Sequence, residues 1–400
     1  MINQRSLRTS ILLLLTSFVA GTLAATYRVT DYGAKGDGIT NDTEAFTNAW
    51  RAVCLNSTAA SILHIPGGKV YLLGLTKFRG PCNHYVRVQV DGNLKRVDEV
   101  WSDDDNNWLL FINVNGITVA GAGEIDGQGA SWWACKEAKA RRKLARYLSI
   151  YQTFPKKFCI NYLKNILTLR ICSLADVRIS RCKCKSINAR FFKNSAMMHV
   201  AVGMSVGVRI SNLKITAPAE SPNTDGIHVE RSRHVIISDC QISTGKSSDL
   251  VTLGIEKSYA TAEGIHVSDS TIVRTDNGVR IKTWQGATGF ARDISFRNIS
   301  LTEVRNPIII DQFYCPRGGC KNETSAVQVS NVKFIGVKGT SANDMAIRLE
   351  CSQSSGCHDV VMEDVDIRNA VPGEQAQAFC FNAHGKKAKV VKPDVPCLSY

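Results

Sequence analysis

Residues Val208-Arg-Ile-Ser-Asn-Leu-Lys-Ile215 form two short alternating triplets on either side of a Ser-Asn pair. Alternation with a period of two predicts strands, and a small polar pair between them predicts a turn. The same pattern occurs five more times along the chain, at 235–242, 265–272, 294–301, 327–334 and 360–367.

Successive copies of this pattern start 27, 30, 29, 33 and 33 residues apart. Strands this short cannot fold alone, so a period of this size indicates a solenoid in which each rung buries its apolar face on the next. Leucine-rich repeats have a similar period, but their Leu and Asn signature is absent. We therefore predict an all-β chain, a right-handed parallel β-helix forming a single domain over 26–400, with a helical N-terminal cap at 43–54.

The N-terminus predicts secretion. Arg5 and Arg8 precede an apolar run at 11–20, and small residues follow at 21–25. This is the pattern of a signal peptide over 1–25, and ten apolar residues are too few to span a bilayer. We expect a secreted, extracellular or cell-wall protein that has no membrane segment after signal removal.

Composition agrees with an oxidising compartment and an acidic partner. The chain has 14 cysteines, and the close pairs Cys315/Cys320, Cys351/Cys357 and Cys380/Cys397 are predicted disulfides. Four sequons, at Asn41, Asn56, Asn298 and Asn322, predict a glycoprotein. The formal net charge of +14 favours a polyanion, and secretion favours an acidic polysaccharide over nucleic acid.

Two motifs carry candidate chemistry. Ser221-Pro-Asn-Thr-Asp-Gly226 precedes a predicted strand, and its Asn and Asp are equally suited to a rung corner. In Arg280-Ile-Lys282, strand periodicity places the two cations on the outer face and Ile281 in the core. Such a pair can hold a carboxylate or can form an ordinary solvated face.

Taken together, several motifs resemble the plant polygalacturonases of glycoside hydrolase family 28. The likeness covers about 27–135, 188–245 and 258–357, and it is carried by the two motifs above together with Tyr32-Gly-Ala-Lys-Gly-Asp-Gly38, Ile125-Asp-Gly-Gln-Gly-Ala-Ser-Trp-Trp133 and Asn306-Pro-Ile-Ile-Ile-Asp-Gln312.

The resemblance implies inverting hydrolysis of 1,4-α-galacturonosyl linkages in de-esterified pectin. It implies that Asp225 is a catalytic carboxylate and that Asn223, Arg280 and Lys282 bind substrate. No cofactor or metal is implied. We expect polygalacturonate as the partner and a monomer as the functional state.

The sequence also departs from the family pattern. After the first aspartate the family carries Gly-Asp-Asp-Cys and later Cys-Gly-Pro-Gly-His-Gly. In this chain Gly245 matches the first glycine, but Lys246 and Ser247 hold the two aspartate positions, and nothing resembles the histidine motif. One rung is predicted to be missing between 235 and 265. Lysine cannot replace a carboxylic acid as proton donor at mildly acidic pH, so Asp249 is the candidate substitute acid.

A second departure is the basic segment 136–170, which fits neither the repeat nor the family pattern. It is read either as a polyanion-binding insertion or as a misjoined gene segment. Three hypotheses remain open for the whole chain: a pectin hydrolase with part of its active site missing, an inactive paralogue that binds polygalacturonate, and a secreted solenoid that binds protein partners.

Overall fold

The computed structural model describes residues 24–57, 59–98, 107–134, 175–184, 186–245, 251–253, 258–315, 323 and 326–399. The predicted signal peptide up to residue 23 and the basic segment 136–170 lie outside the described residues. So do Lys246, Ser247 and Asp249.

The chain folds as a right-handed parallel β-helix, and the predicted fold class is confirmed. Every pairing between the named strands is parallel. Ten strands form one sheet, in this order: β5 (Thr76–Arg79), β8 (Leu109–Ile112), β10 (Ala175–Ser180), β12 (Met198–Gly203), β15 (Asp225–Glu230), β18 (Val251–Leu253), β20 (Asn277–Trp284), β22 (Asn306–Tyr314), β24 (Met345–Glu350) and β26 (Gln377–Phe381).

The remaining seventeen strands form the rest of the solenoid wall: β1 (Ala25–Arg28), β2 (Asp37–Asn41), β3 (Ser61–Ile65), β4 (Val70–Leu73), β6 (Val86–Val90), β7 (Asn93–Arg96), β9 (Thr118–Asp126), β11 (Ser186–Lys193), β13 (Arg209–Ser211), β14 (Lys214–Thr216), β16 (Arg233–Ser238), β17 (Gln241–Ser243), β19 (Tyr259–Val273), β21 (Thr288–Val304), β23 (Gln328–Ser341), β25 (Cys357–Asn369) and β27 (Ala383–Lys392).

Helical structure caps the N-terminal end, as predicted. A 3₁₀ turn covers Val29–Tyr32, and helix α1 (Thr43–Arg51) continues into a π-helical turn at Ala52–Asn56. Phe46 and Trp50 of α1 are buried against the first rungs, where an edge-to-face contact joins Trp50 to Phe78 with ring centroids 5.1 Å apart. The helix therefore covers the apolar end that the first rung would otherwise expose.

Ladders of aliphatic and aromatic side chains fill the interior. Val235, Ile265 and Ile294 stack in register on successive rungs, and Phe296 lies on Phe334 with ring planes 13° apart. Each strand alone is too short to bury its apolar face, so the stack of rungs supplies the core.

The structure corrects one predicted register. The sequence pattern aligned Val327 with Ile294, but Ile294 pairs with Val332, and Val332 pairs with Val360. The spacings are therefore 38 and 28 residues instead of 33 and 33. Both runs alternate, and the long connection at 315–327 between β22 and β23 shifts the pairing by five residues.

The sheets continue across the region where a rung was predicted to be missing. In the ten-stranded sheet, Val251 pairs with Val229 on one side and with Ile281 on the other. In the other sheet Val235 pairs directly with Ile265. The described residues therefore form one continuous stack, and this stack brings β15 and β20 close to each other.

Two predicted disulfides are confirmed, Cys351–Cys357 and Cys380–Cys397. The predicted Cys315–Cys320 pair involves Cys320, which lies outside the described residues. Sequence reasoning missed the bond Cys54–Cys82, which ties the end of the helical cap to the connection after β5. In the described part of the chain, no helix is long and apolar enough to cross a bilayer.

Candidate active site

The outer face of the ten-stranded sheet carries the predicted cation pair. Ile281 is fully buried in the core, as strand alternation predicted, while the side chains of Arg280 and Lys282 leave the opposite face. Lys282 is nevertheless only 7% exposed. Because a solvated lysine is normally far more exposed, the pair is enclosed by neighbouring side chains instead of forming an ordinary surface.

A cavity of about 330 Å³ lies on this face. Asn223 and Arg280 both line it, so the structure brings together residues that lie 57 positions apart in the sequence. Its complete lining is polar apart from Ile309 and Tyr314 and consists of Asn223, Asp276, Asn277, Arg280, Asn306, Ile309, Asp311, Tyr314, Arg348 and Glu350.

Tyr314 and Asp311 hold the cation pair from the next rung. Arg280 Nη2 donates to Asp311 Oδ2 at 2.7 Å, and its guanidinium carbon lies 5.5 Å from the centre of the Tyr314 ring. Lys282 Nζ lies 4.4 Å from the same ring centre. A cation–π contact fixes a cation without neutralising it, whereas the charge of Arg280 is also paired with the Asp311 carboxylate.

The acidic side chains in the cavity wall are also paired. Arg348 Nη2 lies 2.6 Å from Glu350 Oε1, and Arg305 Nη1 lies 3.7 Å from Asp276 Oδ1. Asp311 is paired with Arg280. The wall therefore presents both carboxylates and guanidinium groups without a large excess of negative charge.

Asp225 is the first residue of β15 and is 2% exposed. Its carboxylate lies 3.7 Å from Nδ1 of His228, which is also buried. Among the described residues, the two ring nitrogens of His228 have no hydrogen-bond partner. The same holds for Oδ1 of Asp225. Asn223, two residues earlier, adopts a left-handed conformation with φ 55°, which asparagine tolerates better than most residues.

The predicted site residues therefore divide into two groups. Asn223 and Arg280 line the cavity, whereas Asp225 and Lys282 each follow a lining residue by two positions and are themselves buried. Asp249, the candidate substitute acid, lies outside the described residues.

Sequence reasoning assigned no role to Asp311 and Tyr314, although both lie in or beside a quoted family motif. It also missed Arg348 and Glu350. The signal that could have found them is the repeat itself, because residues one rung apart on the same face are neighbours in space.

A buried polar layer lies behind Asp225. Burial lowers the pKa of His199 to about 4, so this side chain is neutral and its Nδ1 lies 2.9 Å from the backbone oxygen of Asp225. The backbone N–H of Ser195 donates to His199 Nε2 at 3.3 Å, and the Ser195 hydroxyl donates to the backbone oxygen of Met198 at 2.6 Å. The Ser195 side chain also interacts with the buried Asp176. This layer fixes the backbone from which the Asp225 carboxylate projects.

Asp176 is the unusual member of that layer. Burial raises the pKa of Asp176 to about 8, against the opposing effects of the Arg96 charge and the Ser195 hydrogen bond. Gly127 leaves room for it, since a Cβ on Gly127 would come within 2.4 Å of both Asp176 carboxyl oxygens. A protonated carboxyl is therefore accommodated next to the backbone at neutral pH.

Sequence comparison identifies the family. The profile of the glycosyl hydrolases family 28 matches residues 54–171, 173–252 and 249–390, so the chain belongs to this family. A probable polygalacturonase of Arabidopsis thaliana is 34% identical over 93% of this chain and 84% of the relative. A polygalacturonase of Prunus persica is 31% identical over the full length of both chains.

Solved structures support the same fold. An exopolygalacturonase from Thermotoga maritima superposes with a TM-score of 0.62 at 19% identity, covering 86% of this chain and 87% of that one. A polygalacturonase from Erwinia carotovora gives 0.59 at 18% identity, covering 88% and 94%.

The boundaries of the family match are informative. The second matched range runs through Lys246 and Ser247 to residue 252, and the third begins at residue 249, so the two ranges overlap just after this pair. The first range runs through 136–170, so the basic composition of that segment does not interrupt the match.

Replacement of Asp176 by asparagine should change how stability depends on pH. The folded chain keeps a proton on Asp176 that the unfolded chain releases above about pH 4, so the free energy of unfolding falls as pH rises from about 4 to 8. Relative to Asp176→Asn, the unchanged chain should lose up to about 1.4 kcal/mol per pH unit in this range.

Urea unfolding at several pH values measures this slope. The matched control is Asp359→Asn, an exposed aspartate whose left-handed backbone also suits asparagine, and it should parallel the unchanged chain. If the free energy of unfolding of Asp176→Asn depended on pH in the same way as that of the unchanged chain, the raised pKa of Asp176 would be wrong.

Proposed function

We propose that this chain is a polygalacturonase-type hydrolase that binds the galacturonate backbone of de-esterified pectin and cleaves 1,4-α-galacturonosyl linkages with inversion. The observation that carries the proposal is the cavity in which Asn223 and Arg280 meet, with Lys282 and Asp225 two residues away from them. Membership of family 28 and relatives named polygalacturonases support the same reaction.

Recognition is assigned to the cation pair. A galacturonate carboxylate accepts hydrogen bonds from Arg280 and Lys282, whose positions are fixed by Asp311 and Tyr314. Asn223 contributes an amide for a sugar hydroxyl. The net charge of +14 adds long-range attraction for a polyanion.

We assign to Asp225 the activation of the attacking water. In inverting hydrolysis one carboxylate removes a proton from water, the water oxygen bonds to the anomeric carbon, and the glycosidic oxygen leaves with a proton from a carboxylic acid. Asp225 is the base in this scheme, and Asp249 is the substitute acid. Because Lys246 and Ser247 replace the two family aspartates, we expect a rate about 10²–10⁴ lower than with a proper general acid.

A second candidate function is polygalacturonate binding without turnover. The specific observation that favours it is the Lys246-Ser247 pair, because of the three positions at which the resemblance implies catalytic aspartates, 225, 246 and 247, this chain keeps an aspartate at 225 alone. The third candidate, a solenoid for protein partners, predicts that the cation pair is dispensable.

The cellular setting is part of the proposal. We propose a secreted, monomeric cell-wall glycoprotein that needs no cofactor, cleaved near residue 25, with 136–170 as a basic insertion that binds polyanion. Asn41, Asn56 and Asn298 are exposed, which suits glycan attachment at these sequons.

Lys282→Ala should weaken binding to immobilised polygalacturonate by at least roughly tenfold, because a buried charge that contacts a carboxylate is lost. Lys338→Ala is the control, since Lys338 on β23 of the other sheet is exposed and is paired with Asp364 on β25. Affinity chromatography in a salt gradient measures both variants. Equal elution of Lys282→Ala and the control would favour the protein-binding alternative.

Asp225→Asn should abolish release of reducing ends from polygalacturonate while leaving binding intact. The amide keeps the shape of the side chain but cannot accept the proton from water. Asp239→Asn, at an exposed turn with a left-handed backbone, is the control and should retain full activity. Undiminished turnover in Asp225→Asn would overturn its role as base.

A further inference from the structure

The cavity extends beyond the cation pair towards the C-terminal rungs. Arg280 pairs in register with Ile309, and Ile309 pairs with Arg348, so the three side chains form one column on the outer face. Neighbouring strands lie about 4.8 Å apart, which places the Cα atoms of the two arginines roughly 10 Å apart.

In this column Ile309 forms the floor of the cavity, and Arg280 and Arg348 stand at its two ends. Ile309 lies in the floor, whereas its sequence neighbours Ile308 and Ile310 are in the core. The amides of Asn277 and Asn306 stand on one side. Asp311 and Glu350, which pair in register, stand on the other side, and all four of these residues line the cavity.

The lining suits a sugar that carries a carboxylate. An apolar floor can contact the face of a pyranose ring, and amide and carboxylate groups at the sides can bond its hydroxyls. Arg348 is half-buried, with 38% of its side chain exposed, and its ion pair with Glu350 is made through Nη2. A guanidinium has five N–H donors, so Arg348 can hold Glu350 and a substrate carboxylate together.

We propose that Arg348 binds the carboxylate of a second galacturonate unit, in a subsite on the C-terminal side of the Arg280–Lys282 pair. The inference rests on the proposed function and deepens it. Arg348 then determines specificity for a run of unesterified units, since a methyl ester carries no charge for the guanidinium to bind.

The test is isothermal titration with unesterified hexagalacturonate. Arg348→Gln should weaken binding roughly tenfold, and Arg348→Lys should recover part of the loss because the charge remains. Glu350→Gln keeps an amide that can still bond a sugar hydroxyl and removes only the negative charge that competes for Arg348, so it should bind as tightly as the unchanged chain or more tightly.

The two variants separate recognition from a structural role. Both Arg348→Gln and Glu350→Gln break the same ion pair, so equal weakening by the two would overturn the subsite. The matched control is Arg368→Gln, because Arg368 pairs with Asp366 two residues away on β25 in the other sheet, at 3.0 Å. This variant should bind as the unchanged chain does.

The remaining outcomes distinguish this inference from the proposed function. If Lys282→Ala weakens binding and Arg348→Gln does not, the subsite is wrong and the proposed function stands. If the unchanged chain fails to bind hexagalacturonate, the proposed function is wrong and the subsite falls with it.

Discussion

The pairing of Val251 with Val229 on one side and Ile281 on the other holds the candidate site together. Strand β18 spans three residues, yet it joins the rung that carries Asp225 to the rung that carries Arg280 and Lys282. In-register parallel pairing repeats side-chain positions at about 4.8 Å, so the outer face is a lattice of fixed positions. A linear polymer that lies along this face can contact side chains at regularly repeated positions.

The lattice also explains how charges are accommodated on this face. Asp311 and Glu350 pair in register, and each forms an ion pair with an arginine of the same cavity. Tyr314 then covers Lys282. Charges held in partly desolvated surroundings interact more strongly with an anion than exposed charges do, since less of their field is screened by water. The in-register strand pairing that stacks the rungs therefore also positions the charges that we propose bind an anionic substrate.

Much of this arrangement follows from strand alternation. The buried position of Ile281, the outward direction of Arg280 and the solenoid fold were predictable from patterns of two and of about thirty residues, and the cap was predictable from the helical pattern at 43–54. The pairing of Ile294 was not predictable, because the alternating pattern allows Val327 as well as Val332 as its partner. The structure pairs it with Val332. The burial of Lys282 depends on Tyr314, which belongs to the next rung. The place of Arg348 in the cavity was not predictable for the same reason, since the neighbouring residue Ile309 is distant from it in sequence.

The chain belongs to family 28, and we propose that Arg280 and Lys282 keep its recognition role while Lys246 and Ser247 stand at the two aspartate positions that include the family's proton donor. The most direct test is the release of reducing ends from polygalacturonate by this chain, measured beside a version with the family's missing rung restored between Gly245 and Val251. We predict comparable binding by both forms and turnover at least about 10²-fold faster in the restored form. Equal turnover by the two forms would contradict this prediction, and would mean that a residue already present, such as Asp249, donates the proton as well as the family's carboxylic acid does.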